Sequence, residues 1–193
     1  MHSITITLNN IEALDEAETE GLEAMLCKAK NVQLKKGDCL WGPGAMPDYE
    51  GYVVMGLLRH VVEEKEDHER IIQFYREGDF IHDCSGALTD YSIIAVEDST
   101  LHMLKMGSWQ ELMTRFPKIE RISGQMMTKQ LLRHKQHVNM LMKPGPEERY
   151  KFLLQTEPEL VNRVSVTHLA QYLGISRETL SRMRAKVAEG SIL

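Results

Sequence analysis

The residues best suited to chemistry lie near the end of the chain, in VSVTHLAQYLGISRETLSRMRAKVA (164–188). Arginine near the start of an exposed helix can bond guanine O6 and N7 with two hydrogen bonds, and glutamate can accept from cytosine N4. Arg177, Glu178 and Arg182 have those types and fall within two turns of one another. Ser176 and Thr179 can bond phosphates, and Arg184 and Lys186 can supply charge without regard to base sequence. A helical hairpin with a merely solvated basic face has a similar composition. The spacing argues for more than that.

The elements that would hold these side chains follow from the same stretch. Ser165 can cap a helix that carries Leu169, Tyr172 and Leu173. Ala170 is small where a second helix must cross closely. Gly174 can take the positive φ of a tight turn. Ser176 can cap the second helix, whose first turn carries Glu178, as the helix dipole favours. Leu180, Met183 and Val187 face inward, which leaves Arg177, Glu178, Ser181, Arg182 and Arg184 outward. Two helices, a glycine turn and arginines on the second helix describe a helix-turn-helix.

Net charge alone points away from nucleic acid. The 193 residues carry 23 Lys and Arg against 28 Asp and Glu, a net charge of −5. The acidity is unevenly spread. Residues 1–143 hold 16 basic and 22 acidic residues, net −6, while residues 144–193 hold 7 and 6, net +1. Such asymmetry marks a chain with functionally distinct ends. With 42% apolar and 26% charged residues the composition is that of a globular protein. No apolar run approaches the ~20 residues of a membrane helix, so no membrane partner is expected. MHSITITLNN lacks the features of a signal peptide. Three scattered cysteines, Cys27, Cys39 and Cys84, suit idle or buried thiols in a reducing cytoplasm.

Upstream, residues 11–30 read as one helix that Gly21 could interrupt. From Lys35 to Met106, turn-like clusters (KKGD, PGAMPDYEG, EDHE, EGD, VEDST) alternate with short runs rich in β-branched and aromatic residues. Those runs are 52–62, 70–75, 91–96 and 101–106. Such spacing predicts a small antiparallel sandwich or barrel, too small to bury a large core without flanking helices. SWQELMTRF (108–116) is helical up to Pro117. Residues 118–142 then form a long helix on which Gly124, Met127, Leu131, His134, Val138 and Leu141 recur at heptad steps. That seam predicts a homodimer. A second stripe, Ile119, Ile122, Met126 and Leu132, lies on a different face; one face can cover the barrel while the other meets a partner helix, the alternative being that both stripes bury inside one subunit. Lys143-Pro144-Gly145-Pro146 ends the helix and starts another, PEERYKFLLQTEPEL. The expected organisation is residues 1–117, residues 118–142 as a dimerisation helix, and residues 143–193.

ISRETLSR (175–182) closely resembles the start of the recognition helix in the CRP/FNR family of bacterial transcription regulators. YVVMGLLR (52–59) and EGDFI (77–81) resemble parts of that family's β-roll, and the order of parts agrees over residues 15–193. The resemblance implies an α+β fold. Its parts are an N-terminal antiparallel β-roll (a double-stranded β-helix, jelly-roll-like), a long dimerisation helix and a C-terminal all-α helix-turn-helix domain without a full wing, since the chain stops at Leu193. It implies that Arg177, Glu178 and Arg182 reach base edges and that Ser176 and Thr179 reach the backbone. It further implies a homodimer on double-stranded DNA at a pseudo-palindromic site, with RNA polymerase as a further partner and a cytoplasmic location.

The family's nucleotide-binding members hold a cyclic phosphate with a cassette after GDFI that supplies an arginine. Here GDFI is followed by His82-Asp83-Cys84, and Thr89-Asp90-Tyr91-Ser92 stands where the arginine should fall. A phosphate would meet Asp83 and Asp90 instead of a cation, which is costly when buried. His82, Asp83, Asp90 and Tyr91 therefore form a degenerate cassette, and cyclic AMP binding is not expected. No cofactor is expected; an unidentified small-molecule effector is left open. The cysteine spacing does not suit an iron–sulfur cluster, and His82 as a haem ligand is the weaker reading of a lone histidine. His60, His68, His82 and His102 invite a metal-dependent cupin-like enzyme but lack the HxH…E grouping. The chain is expected not to be an enzyme. Its competing reading is a small-molecule-binding roll with vestigial DNA binding.

Overall fold

The computed structural model describes residues 3–64, 68–83 and 87–188. Cys84, part of the EDHE turn and the chain end from Glu189 lie outside the described residues. The chain divides into two compact units, Met1–His60 with Phe74–Leu131 and Val61–Gln73 with Leu132–Leu193.

The first unit begins with two helices, α1 (Ser3–Ile11) and α2 (Glu16–Leu26), where one was expected over 11–30. The break falls before Glu16 because Asp15 and Glu18 form a reciprocal capping box. The Asp15 carboxylate accepts from the Glu18 amide at 2.9 Å, and the Glu18 carboxylate accepts from the Asp15 amide at 2.8 Å. Gly21, the expected break, stays helical. A Cβ there would lie 2.5 Å from the Phe116 ring, so the glycine serves packing. Helix α1 was not expected, because its Ile-Thr-Ile-Thr sequence is β-branched. Its Ile4 and Leu8 are fully buried.

Eight strands follow: β1 (Lys30–Leu34), β2 (Cys39–Trp41), β3 (Tyr49–Met55), β4 (Leu58–Glu64), β5 (His68–Tyr75), β6 (Phe80–Ile81), β7 (Tyr91–Ala95) and β8 (Ser99–Lys105). They form two four-stranded sheets, β1-β8-β3-β6 and β2-β7-β4-β5, with antiparallel pairing between β1 and β8, β3 and β8, β3 and β6, and β2 and β7. The apolar run 52–62 is two strands. Gly56, at φ +106°, turns the chain between them, and a Cβ there would meet the Ser99 side chain at 2.2 Å. Val53, Leu58, Ile81, Ile93 and Leu101 fill the roll interior.

A second apolar cluster joins the roll to its helices, as a sheet this small requires. Tyr52 and Phe80 pack with Leu22, Leu26, Trp109, Ile119 and Ile122. Helix α3 (Ser108–Arg115) is held by a buried bond from the Trp109 amide to the Glu50 carboxylate at 2.9 Å. Helix α4 (Pro117–Leu141) follows at once. Ile119 and Ile122 are buried as expected and Met126 packs against the core, but Leu132 is 54% exposed and does not join that stripe.

Besides the parts of β4 and β5 within Val61–Gln73, the second unit contains α5 (Pro146–Thr156), α6 (Pro158–Arg163), α7 (Val166–Leu173) and α8 (Arg177–Ala188). Pro158 divides the expected helix 146–160, because proline disfavours helical backbone at Glu157. Tyr150, Leu153, Leu160, Val161, Leu169, Leu173, Leu180 and Met183 are buried. Helix α5 packs on α6, α7 and α8.

Candidate nucleic-acid interface

Helices α7 and α8 are built as their sequence requires. Ser165 caps α7 by accepting from the His168 amide at 3.2 Å. Gly174 ends it in the left-handed conformation, φ +64° and ψ +41°, with its amide donating to the Ala170 carbonyl. Ser176 starts α8 by accepting from the Thr179 amide at 3.2 Å. Leu180 and Met183 turn inward, while the Val187 side chain lies outside the described residues.

With those residues buried, Arg177, Glu178, Ser181, Arg182 and Lys186 are all exposed on α8. Two arginines, a lysine and a glutamate can offer bidentate donors, a point charge and an acceptor to a groove. Arg182 reaches back to the Thr179 hydroxyl at 3.4 Å, and that hydroxyl also lies 2.9 Å from the Ser176 hydroxyl. Ser176 and Thr179 thus organise the helix start. Arg184 differs from its neighbours. It is half-buried, and its charge lowers the Tyr150 hydroxyl pKa against the larger upward push of burial.

Two side chains that support this unit were not singled out in the sequence. Arg149 donates from Nη1 to the Leu173 carbonyl at 3.2 Å and from Nε to the Lys143 carbonyl at 3.2 Å, tying the end of α7 to the start of α5. His137 is buried against Tyr172. Their partners are distant in sequence, so no local pattern announces them.

On α4 the expected seam is partly open. Met127, Leu131 and Val138 are 40%, 66% and 45% exposed, and His134 and Leu141 are half-buried. Within one chain these three apolar side chains stay partly open to solvent.

The segment expected to be a degenerate cassette brings acidic and aromatic side chains together. The Tyr91 hydroxyl donates to the Asp83 carboxylate at 2.5 Å. The His60 ring lies against Tyr91, with centroids 4.1 Å apart, and its Nδ1 is 3.4 Å from the Tyr75 hydroxyl. Burial, together with the Asp79 and Asp83 charges, raises the Tyr75 pKa strongly. Burial and the Asp83 bond do the same for Tyr91. Asp90 is exposed, and the Thr89 hydroxyl donates to the Gly42 carbonyl at 2.7 Å. His82 is exposed and lies 3.4 Å from the Glu50 carboxylate.

Three of the roll histidines, His60, His82 and His102, do not converge, and the His68 side chain lies outside the described residues. His60 meets tyrosines, His82 meets Glu50, and His102 Nδ1 lies 2.6 Å from the Asn31 amide oxygen. Among the described residues no group of three or more His, Cys, Asp or Glu side chains could hold a metal. Of the cysteines expected to be idle or buried, Cys27 and Cys39 are free and exposed. No described helix is long and apolar enough to cross a membrane.

Residues 31–116 match the cyclic nucleotide-binding domain family. The chain is 22% identical to the transcriptional regulatory protein Btr of Bordetella pertussis over 199 residues, 96% of this chain and 78% of that protein. Its fold is similar to that of FixK2 from Bradyrhizobium japonicum, with TM-score 0.71, 23% identity, and coverage of 86% of this chain and 87% of that one. It is similar also to CLP of Xanthomonas campestris, a c-di-GMP-responsive global regulator. There the TM-score is 0.70 at 21% identity, covering 89% of this chain and 92% of that one.

Proposed function

We propose, from the premise that this chain is of the CRP/FNR type with a cyclic nucleotide-binding domain at residues 31–116, that it is a sequence-specific DNA-binding transcription regulator. The observation that carries this reading is the exposed face of α8, where Arg177, Glu178 and Arg182 stand free of the core on a helix capped at Ser176. The regulators among its relatives support the same reading. They also support a non-enzymatic role.

The regulator acts as a homodimer. The apolar side chains exposed on α4 fit a second copy of the same helix, which would bury them by the seam Met127, Leu131, His134, Val138 and Leu141. A two-fold dimer presents two α8 helices, so its site is a pseudo-palindrome with half-sites about one turn apart. Arg177, Glu178 and Arg182 read base edges. Lys186 and Arg184 add charge toward phosphates, and the Ser176 and Thr179 hydroxyls bond the DNA backbone. Its place of action is the cytoplasm, with RNA polymerase as a further partner.

The roll does not respond to cyclic AMP. Asp83 and Tyr91 already bond one another in the cassette, and the segment offers a phosphate carboxylates where a cation is needed. An effector seated at the cassette, if one binds there, has a different charge pattern from a cyclic nucleotide.

Selection of bound fragments from random duplex DNA tests the reading. A palindromic consensus that the Arg177→Ala/Arg182→Ala variant no longer enriches is the expected result. Enrichment of the same consensus by that variant would reject the contact assignment.

A further inference from the structure

Apart from the cassette and α8, the first unit holds a half-open pocket of about 550 Å³ where α2 and α3 meet the ends of β1, β3 and β8. Its apolar lining is Met25, Leu104 and Leu112, all largely buried. Around this floor stand four cations, Lys28, Lys30, Lys105 and Arg115, against one carboxylate, Glu111.

The four cations are unpaired. Among the described residues none of them makes an ion pair, although this part of the chain is acidic and other lysines there do. Lys35 pairs with Asp98 and Lys118 with Glu18. Lys30 lies instead over the Tyr49 ring at 4.0 Å, and Arg115 over Phe116 at 5.1 Å. Both are rings on or beside the pocket wall, so these cations keep to its rim. A concave site ringed by one sign of charge focuses field and concentrates counter-ions. Its volume falls within the usual range for small-molecule sites, and its apolar floor with polar groups at the rim is their usual construction.

We propose that this pocket binds a small organic anion, with a phosphate or carboxylate head among Lys28, Lys30, Lys105 and Arg115 and an apolar body against Met25, Leu104 and Leu112. An inorganic ion would leave the floor wet, and a neutral apolar molecule would leave the four charges unanswered. None of the cassette residues lines the pocket, and the proposal is independent of the DNA-binding reading.

The test uses the full chain with 1-anilinonaphthalene-8-sulfonate, an apolar anion that brightens in an apolar site. Three variants are compared, each checked for native circular dichroism: Lys28→Glu/Lys105→Glu reverses rim charge, Ala24→Trp fills the pocket, and Arg177→Ala/Arg182→Ala is the control. Saturable binding to the wild type is expected, weakened about tenfold or more by the first two variants and unchanged in the control. Octyl phosphate or octanoate should displace the probe, their relative strength identifying the head group, while octanol should not. Four results would overturn the proposal. They are absence of saturable binding, wild-type affinity retained in the rim and filled variants, displacement by octanol as effective as by the anions, or displacement by an acidic peptide but by neither small anion. The last would make the surface a protein-docking site.

Discussion

The His137 ring lies on the Tyr172 ring, centroids 3.8 Å apart and planes 9° from parallel, and His137 Nε2 donates to the Tyr172 carbonyl at 2.8 Å. One residue of α4 is thereby fixed to the second-last residue of α7. The Ile72 carbonyl also faces the imidazole. Only an imidazolium could donate from both nitrogens, yet burial disfavours that charge more than the two carbonyls favour it. Glu157 favours the proton and His134 opposes it. The result is a pKa below the ordinary 6.5.

From this follows a pH dependence of stability. The unfolded chain binds the His137 proton at a higher pH than the folded chain does. Stability should therefore be fully present above about pH 6.5 and should fall as pH drops toward the lower folded pKa. Urea unfolding over that range should show His137→Gln with a flatter profile than the wild type. Parallel profiles would remove His137 as the source.

Gly174 should tolerate no side chain. Its φ of +64° is left-handed, and a Cβ would approach Arg70 Nη1 to 2.8 Å and Arg149 Nη1 to 3.5 Å. Gly174→Ala should cost about 1–2 kcal/mol from backbone strain, with any arginine displacement added. Chemical denaturation measures it, and an unchanged midpoint would contradict the role given to the turn.

The exposed residues of α4 give a prediction about assembly. Leu131→Glu/Val138→Glu places carboxylates where an apolar seam would close on its copy, but both positions are exposed within one chain. Sedimentation should show a dimer for the wild type and a folded monomer for the variant. A variant that stays dimeric would move the interface off this stripe.

Calorimetry with cyclic AMP should give no binding at micromolar concentrations, because Asp83 and Tyr91 occupy the cassette with their own bond. Micromolar affinity would mean that the carboxylates turn away when nucleotide enters.

The helix-turn-helix was legible because each of its parts is local. Ser165 and Ser176 cap, Gly174 turns, and Leu169, Leu173, Leu180 and Met183 mark one face, all within 25 residues. The roll was legible as a class of fold but not strand by strand. Gly56 sits inside an apolar run, and only Ser99, 43 residues away, explains the turn there. Gly21 misled for the same reason, since its partner Phe116 lies far along the chain, between α3 and α4. The absence of an arginine between Ile81 and Thr114 was plain from residue types. The bond between Tyr91 and Asp83, the packing of His137 on Tyr172 and the anchoring of Leu173 by Arg149 depend on tertiary contacts that no local spacing encodes.

The most direct measurement is fluorescence anisotropy of a selected duplex against wild type and Arg177→Ala/Arg182→Ala, titrated over a range of salt. Each lost base contact should cost about 1–3 kcal/mol on the selected site, while binding to unrelated duplex weakens far less. Equal loss on both duplexes, or none on either, would contradict base reading by α8.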